Sequence, residues 1–133
     1  MIPKFRVWDK NTHDIVGIKT IDLEKDGSIG CIVDFSGINL DISECVIMQS
    51  TGLKDKNGVE IFEGDIIKNL KGVVGYIAFL QQEAGFVVVL SKSDYRLGHR
   101  NTGESYDVAS GHEVLGNIYE NTELLEGAWN EII

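Results

Sequence analysis

The sequence is poor in the residues that usually carry chemistry or break a chain rigidly. It has one proline, two cysteines and three histidines among 133 residues. Cys31 and Cys45 are too few for a disulfide framework and lack the spacing of a metal site. Both sit in apolar, strand-like runs, which assigns them to the core as small apolar residues. No apolar run approaches the roughly 20 residues that span a bilayer. Met1-Ile2-Pro3-Lys4 leads straight into folded-looking sequence without a secretory leader, so the expected location is the cytoplasm. Positive charge is missing from the last part of the chain. All twelve Lys and Arg lie at or before Arg100, and seven acids follow Asn101. A net charge of −9 repels phosphate backbones and disfavours nucleic acid as a partner. Solubility alone accounts for such charge. An acidic surface also suits a basic partner, including the DNA-binding surface of another protein.

What the chain has is glycine, 15 residues, and apolar residues, 43% of the total. That is enough for a core in one compact domain. β-Branched residues are plentiful and helical periodicity is absent over the first half. Strands are expected over 4–9, with Trp8 as a core anchor and His13 solvated in the following turn. Further strands are expected over 14–23, with a bulge at Gly17, over 29–35 and over 43–48. Asp26-Gly27 and Ser36-Gly37 mark turns. Residues 39–43 form a strand or a short irregular piece.

The densest punctuation lies between Gln49 and Lys68. Asn57-Gly58 predicts a type I′ turn, which needs two residues tolerant of positive φ. Residues 59–65 read as short and turn-like. Strands then follow over 65–69, 72–80 and 85–90, a spacing that fits a small, strongly bent SH3-like barrel. Residues 91–111 read as a polar loop with a short strand near 105–108. A closing strand covers 113–119. A helical turn follows over 121–127, started by Asn121 and stopped by Gly127. The reading is all-β (mainly β): N-terminal antiparallel strands plus an SH3-like small barrel, with one short C-terminal helical turn. Residues 1–50 form the N-terminal β region, packed with 51–133 as one unit.

Several groupings invite chemistry. Asp55-Lys56-Asn57-Gly58 resembles part of a calcium loop, but the register would put Leu53 and Gly64 at ligand positions. Glu60, Glu63 and Asp65 cluster in sequence, yet acids of this kind commonly bond nearby backbone in turns. His99 and His112 bracket a polar loop, and a metal there would need carboxylates from elsewhere. There is no nucleophile elbow, P-loop or dinucleotide fingerprint. No catalytic, cofactor-binding or metal-binding residue is therefore expected, and no cofactor. Lys54, Lys56, Lys68 and Lys71 offer a basic face for nucleic acid as an alternative reading. Glu63, Asp65 and a histidine offer an enzymatic one. Trp129, Ile132 and Ile133 are apolar residues that fit a core edge or a second subunit.

Three segments together resemble the YopX family of small phage and prophage proteins. They are Phe5-Arg6-Val7-Trp8-Asp9, the run Met48 to Ile67 (MQSTGLKDKNGVEIFEGDII), and Glu113 to Asn121 (EVLGNIYEN) followed by Glu123-Leu124-Leu125. Order and layout match over nearly the whole chain. Thr122 stands where the family often has Pro, and Val7 where Ala is commoner. The resemblance implies a mainly β fold with an SH3-like element and a phage origin; it transfers no functional residue. The function expected is that of a non-enzymatic accessory protein in the host cytoplasm. Its partner would be a host or phage protein or a second copy of the chain, with no membrane role.

Overall fold

The computed structural model describes residues 4–81, 85–90, 94–97 and 111–125. Expectations for His99, for a strand near 105–108, and for Trp129, Ile132 and Ile133 lie outside those residues. The fold is mainly β, built from two antiparallel sheets. Two compact units divide the chain, Ile2–Gln49 and Ser50–Ile133.

The first unit contains β1 (Phe5–Asp9), β2 (Asp14–Leu23), β3 (Ile29–Asp34), β4 (Asn39–Leu40) and the start of β5 (Cys45–Lys54). Neighbours run in the order β4-β3-β2-β1-β5. Val7, Trp8, Ile32 and Met48 are its buried apolar side chains. A 3₁₀ turn, Ile42–Glu44, leads into β5, and the Asp41 carboxylate caps it by accepting the Ser43 N–H at 3.1 Å. His13 is exposed as expected, with its ring edge-on to Trp8 at 6.0 Å. The register of β2 slips between Ile18 and Thr20, not at Gly17. Gly17 serves a different purpose: the Phe35 ring lies over it, where an added Cβ would come within 3.2 Å. Cys31 and Cys45 are only partly buried, so the core assignment made for them is corrected. Apolar neighbours in a strand do not guarantee burial when one face of the sheet is open.

The second unit begins within β5. The later half of that strand pairs with β6 (Glu60–Phe62), through Ser50↔Phe62 and Lys54↔Glu60. The segment read as turn-like thus contains a strand. A five-stranded sheet follows in the order β10-β9-β8-β7-β11. Its members are β7 (Asp65–Lys68), β8 (Val74–Leu80), β9 (Gly85–Val89), β10 (Asp94–Arg96) and β11 (Glu113–Asn117). β10 falls in the stretch expected to be loop. The core is Ile61, Ile67, Ile77, Val88 and Leu97, with Leu53, Phe86, Leu90 and Val114 packed against it. A helical turn at 122–125 ends the described chain and buries Leu125.

One loop geometry recurs at 24–28, 34–38, 55–59 and 69–73. In each, the first residue's N–H donates to the fifth residue's carbonyl, and the fourth, a glycine, donates back to the first. The glycines have φ of 88°, 82°, 78° and 79°. Among the described non-glycine residues, only His13 has positive φ. Asn57 therefore does not adopt a type I′ turn. The loop is a type I turn followed by a left-handed glycine, the three-residue hairpin connection. In three of the four, an acceptor at the loop's first position reinforces it. Asp34, Asp55 and Asn69 each take the N–H groups of the residues two and four further on, which closes the type I form.

Candidate functional site

Residues 50–65 are the natural place to look for a site, because their polar side chains are so dense. The structure buries Ser50, Thr51, Asp55 and Asp65 and leaves Lys54, Lys56 and Asn57 exposed. Thr51 Oγ1 donates to the Ile61 carbonyl at 2.8 Å and accepts the Leu53 N–H at 3.1 Å. Ser50 Oγ donates to Glu60 Oε2 and accepts the Gly52 N–H at 3.0 Å. These bonds hold β5 to β6 across the register shift between Ser50 and Lys54. Asp65 is 1% exposed, and its Oδ2 accepts the Phe62 N–H at 2.7 Å, closing the β6–β7 turn.

Asp55 does the most. It is 5% exposed. Its Oδ1 accepts the Asn57 and Val59 N–H groups, both at 2.8 Å, and its Oδ2 accepts the Val114 N–H at 2.9 Å. The Lys56 N–H donates to the His112 carbonyl at 2.9 Å. A turn loop is thereby laid along β11, with a carboxylate standing in for a strand carbonyl. Burial pushes the Asp55 carboxyl up, but the amides of Val114, Val59 and Asn57, helped by Lys56, together outweigh it. The net shift is downward. Such a group is fixed as an anion by the fold and is a poor proton carrier.

The acids proposed as an enzymatic set are dispersed among such tasks. Asp65 is sealed in its turn, and Glu60 is tied to Ser50. Glu63 lies near Tyr119; burial, then the Glu63 charge, raises the Tyr119 hydroxyl. His112 is buried beside the start of β11. Among the described residues, no group of three His, Cys, Asp or Glu side chains is placed to hold a metal ion. Of the proposed basic face, Lys56 and Lys68 converge on one carboxylate, each Nζ 3.6 Å from Glu113 Oε2. That pairing offsets part of the positive charge that nucleic acid would need.

The third motif is equally occupied. Asn117 Oδ1 accepts the N–H groups of Tyr119 and Glu120, both at 2.9 Å. Asn121 Oδ1 accepts the Asn117 N–H at 3.2 Å. A Cβ on Gly116 would collide with the Asn121 side chain. Thr122 Oγ1 bonds the Ile118 carbonyl at 2.8 Å, so the missing proline is replaced by a hydroxyl contact.

Large apolar side chains stand in solvent elsewhere, and the sequence reading did not single them out. Phe35 is 74% exposed, Leu23 65% and Ile38 59% in the first unit, and Leu70 85% in the second. Strand alternation names the two faces of a sheet but not which one is covered. The available signal was the composition of residues 34–38, where two large apolar residues sit in a turn.

The fold and site together define a small acidic protein of two antiparallel β units whose motif residues serve its own turns. A family model described as "YopX protein" matches residues 4–126, and the chain belongs to that family. It is also similar to the crystal structure of protein EF1440 from Enterococcus faecalis. The TM-score is 0.68 at 30% identity, over 94% of this chain and 99% of that one. Comparison with curated proteins gives no match. Among the described residues, no helix is long and apolar enough to cross a membrane.

Proposed function

We propose that the protein acts by binding another protein and performs no reaction itself. One observation carries this reading. Ser50, Thr51, Asp55, Glu60 and Asp65 of the 50–65 motif are engaged in the fold's own hydrogen bonds, while Leu23, Phe35 and Ile38 are more than half exposed. Phe35 and Ile38, exposed together in one five-residue loop, are available as a contact for that protein. Family membership supports a phage or prophage accessory role in the bacterial cytoplasm. The order β10-β9-β8-β7-β11, with the 55–59 loop laid along β11, supports reading the second unit as an SH3-like barrel.

The test is affinity capture from a Gram-positive host lysate with the full chain as bait, followed by titration of the purified captured protein. A saturable one-to-one complex is expected. Self-association alone, or turnover of a small molecule by the purified chain, overturns the reading. A low-salt titration with single- and double-stranded DNA checks the alternative. Binding that weakens as salt rises would transfer the function to the lysines.

A further inference from the structure

We propose that Asn57 is the chain's site of spontaneous covalent modification, losing ammonia to the backbone nitrogen of Gly58, and that the hydrogen bonds of Asp55 set the rate. This holds whether or not the chain binds a protein. Asn-Gly occurs once in the sequence and Asp-Gly once, at Asp26-Gly27. Both pairs occupy the third and fourth positions of the recurring loop, at 55–59 and 24–28. The step needs a side-chain carbonyl carbon open to attack and a following residue with no side chain in the way. Asn57 is exposed, and its carboxamide bonds nothing among the described residues. An added Cβ on Gly58 would meet nothing within 4 Å. Asn11, Asn39, Asn69, Asn117 and Asn121 are followed by Thr, Leu or Ile, whose side chains crowd the attacking nitrogen.

Asp26 shows what protects a residue in the same geometry. Its Oδ1 accepts the Ser28 hydroxyl at 2.6 Å and the Ser28 N–H at 2.9 Å. Those bonds, the hydroxyl first, hold the carboxyl below its usual range. A carboxylate anion resists attack by nitrogen, so Asn57 is the reactive member of the two.

The chemistry needs only water and solvent base. The Gly58 nitrogen gives up its proton and attacks Asn57 Cγ. An N–Cγ bond forms, the Cγ–Nδ2 bond breaks, and ammonia leaves with a proton from solvent, closing a succinimide. Water then adds to either ring carbonyl. Addition at Cγ breaks the new N–Cγ bond and leaves aspartate. Addition at the main-chain carbonyl breaks the original peptide bond to Gly58 and leaves isoaspartate, with the backbone running through Cβ and Cγ.

The closed loop opposes this step. The Gly58 N–H donates to the Asp55 carbonyl at 3.0 Å, and Asp55 Oδ1 holds the Asn57 and Val59 N–H groups on either side at 2.8 Å. The nitrogen is released for attack only when the loop opens. Isoaspartate adds a methylene to the backbone inside that closure. The longer loop pulls against the Asp55 bond to the Val114 N–H and the Lys56 N–H bond to the His112 carbonyl, both 2.9 Å. Modification at one exposed residue thereby loosens the loop from β11.

The experiment ages the purified full chain in mildly alkaline buffer, native and in urea. Peptide mass spectrometry and isoaspartyl methyltransferase labelling follow the products. Asn57 is expected to convert first, and about tenfold or more slowly in the folded chain than in urea. Asp55→Ala should raise the folded rate severalfold. Asp55→Asn keeps an oxygen for the Asn57 and Val59 N–H groups and should stay within about twofold of wild type. In urea, where folding plays no part, Gly58→Ala should slow conversion about tenfold or more. The isoaspartate form, isolated by chromatography, should unfold at lower urea than wild type, and Asn57→Asp should not. Earlier conversion at Asp26 or at another asparagine, or a Gly58→Ala rate in urea equal to wild type, overturns the site. Equal folded and urea rates, or a folded Asp55→Ala rate equal to wild type, overturn the gate. If Asp55→Ala does not fold, an Asp55→Asn rate as fast as that in urea overturns it instead. An isoaspartate form as stable as wild type overturns the coupling to β11.

Discussion

Replacing Asp55 tests whether the 50–65 motif is a fold device. The carboxylate accepts three backbone N–H groups, from Asn57, Val59 and Val114. The first two lie in an exposed loop where water can replace the lost partner, so each is worth about 1 kcal/mol. The Val114 N–H is on a strand edge covered by the loop itself, and losing a charged acceptor there costs about 2 kcal/mol. Asp55→Ala should therefore destabilise the second unit by about 4 kcal/mol. Asp34 makes the same two loop bonds, so Asp34→Ala should cost only about 2 kcal/mol. Asp55→Asn separates the parts. Asn69 already closes the same loop with an amide oxygen, so the turn survives. What is lost is the Val114 bond, about 2 kcal/mol. Urea unfolding followed by far-UV circular dichroism measures the sums, and amide exchange at Val114 locates the loss. The reasoning is refuted if Asp55→Ala costs no more than Asp34→Ala, or if Asp55→Asn is as harmful as Asp55→Ala.

The pH dependence has a definite sign. The folded-state pKa of Asp55 is lowered relative to an unfolded value of about 3.9. Its contribution is fully present above the unfolded value and is lost as pH falls through the folded one. Wild type should lose stability more steeply below about pH 4 than Asp55→Asn does.

Three further outcomes follow from the geometry. Gly64 has φ of 88°, and its N–H and carbonyl are held by Ile77 and Ile118 at 2.8 and 2.9 Å. Gly64→Ala cannot relax without breaking those bonds and should cost about 1–3 kcal/mol in chemical unfolding; a neutral result would contradict the conformation. Glu113→Gln removes both lysine contacts, yet the partners are half exposed, so less than about 1 kcal/mol should be lost, shrinking with salt. The Cys45 thiol pKa is raised, first by burial and then by Asp9, Asp41 and Glu44. Alkylation at pH 8 should be slower at Cys45 in the folded chain than in urea, and equal rates would refute the assigned environment.

Much of the fold is readable from local pattern. β2, β7, β8, β9 and β11 fall close to their apolar runs, because strand periodicity and Gly-marked turns act over a few residues. The misses have a common physical origin. Two acceptor bonds from Asp55, invisible to a dipeptide rule, reinforce the turn at Asn57-Gly58. The third Asp55 bond spans 59 positions, and no local pattern encodes it. β10 is three residues long in a polar stretch and pairs only because β9 is already in place. The partly buried cysteines and the exposed Phe35 were hidden for another reason. Both depend on which face of a sheet remains open, and that is settled by what packs there.

A motif can therefore identify a family without naming an activity. Turns of this kind tolerate little change: the Asp, the left-handed Gly and the threonine hydroxyl each answer a backbone demand that few side chains meet. Such constraints make a stretch recognisable whether or not it touches a ligand. Residues that meet a partner are chosen by that partner and can vary as it varies. In this chain the Asp55 corner and the Asn117–Asn121 turn answer to the fold. The side chains of Phe35 and Ile38 answer no backbone demand that explains their exposure. If that division holds, substitutions at 50–65 act on function only through stability, while Phe35→Ala leaves stability intact and alters binding directly.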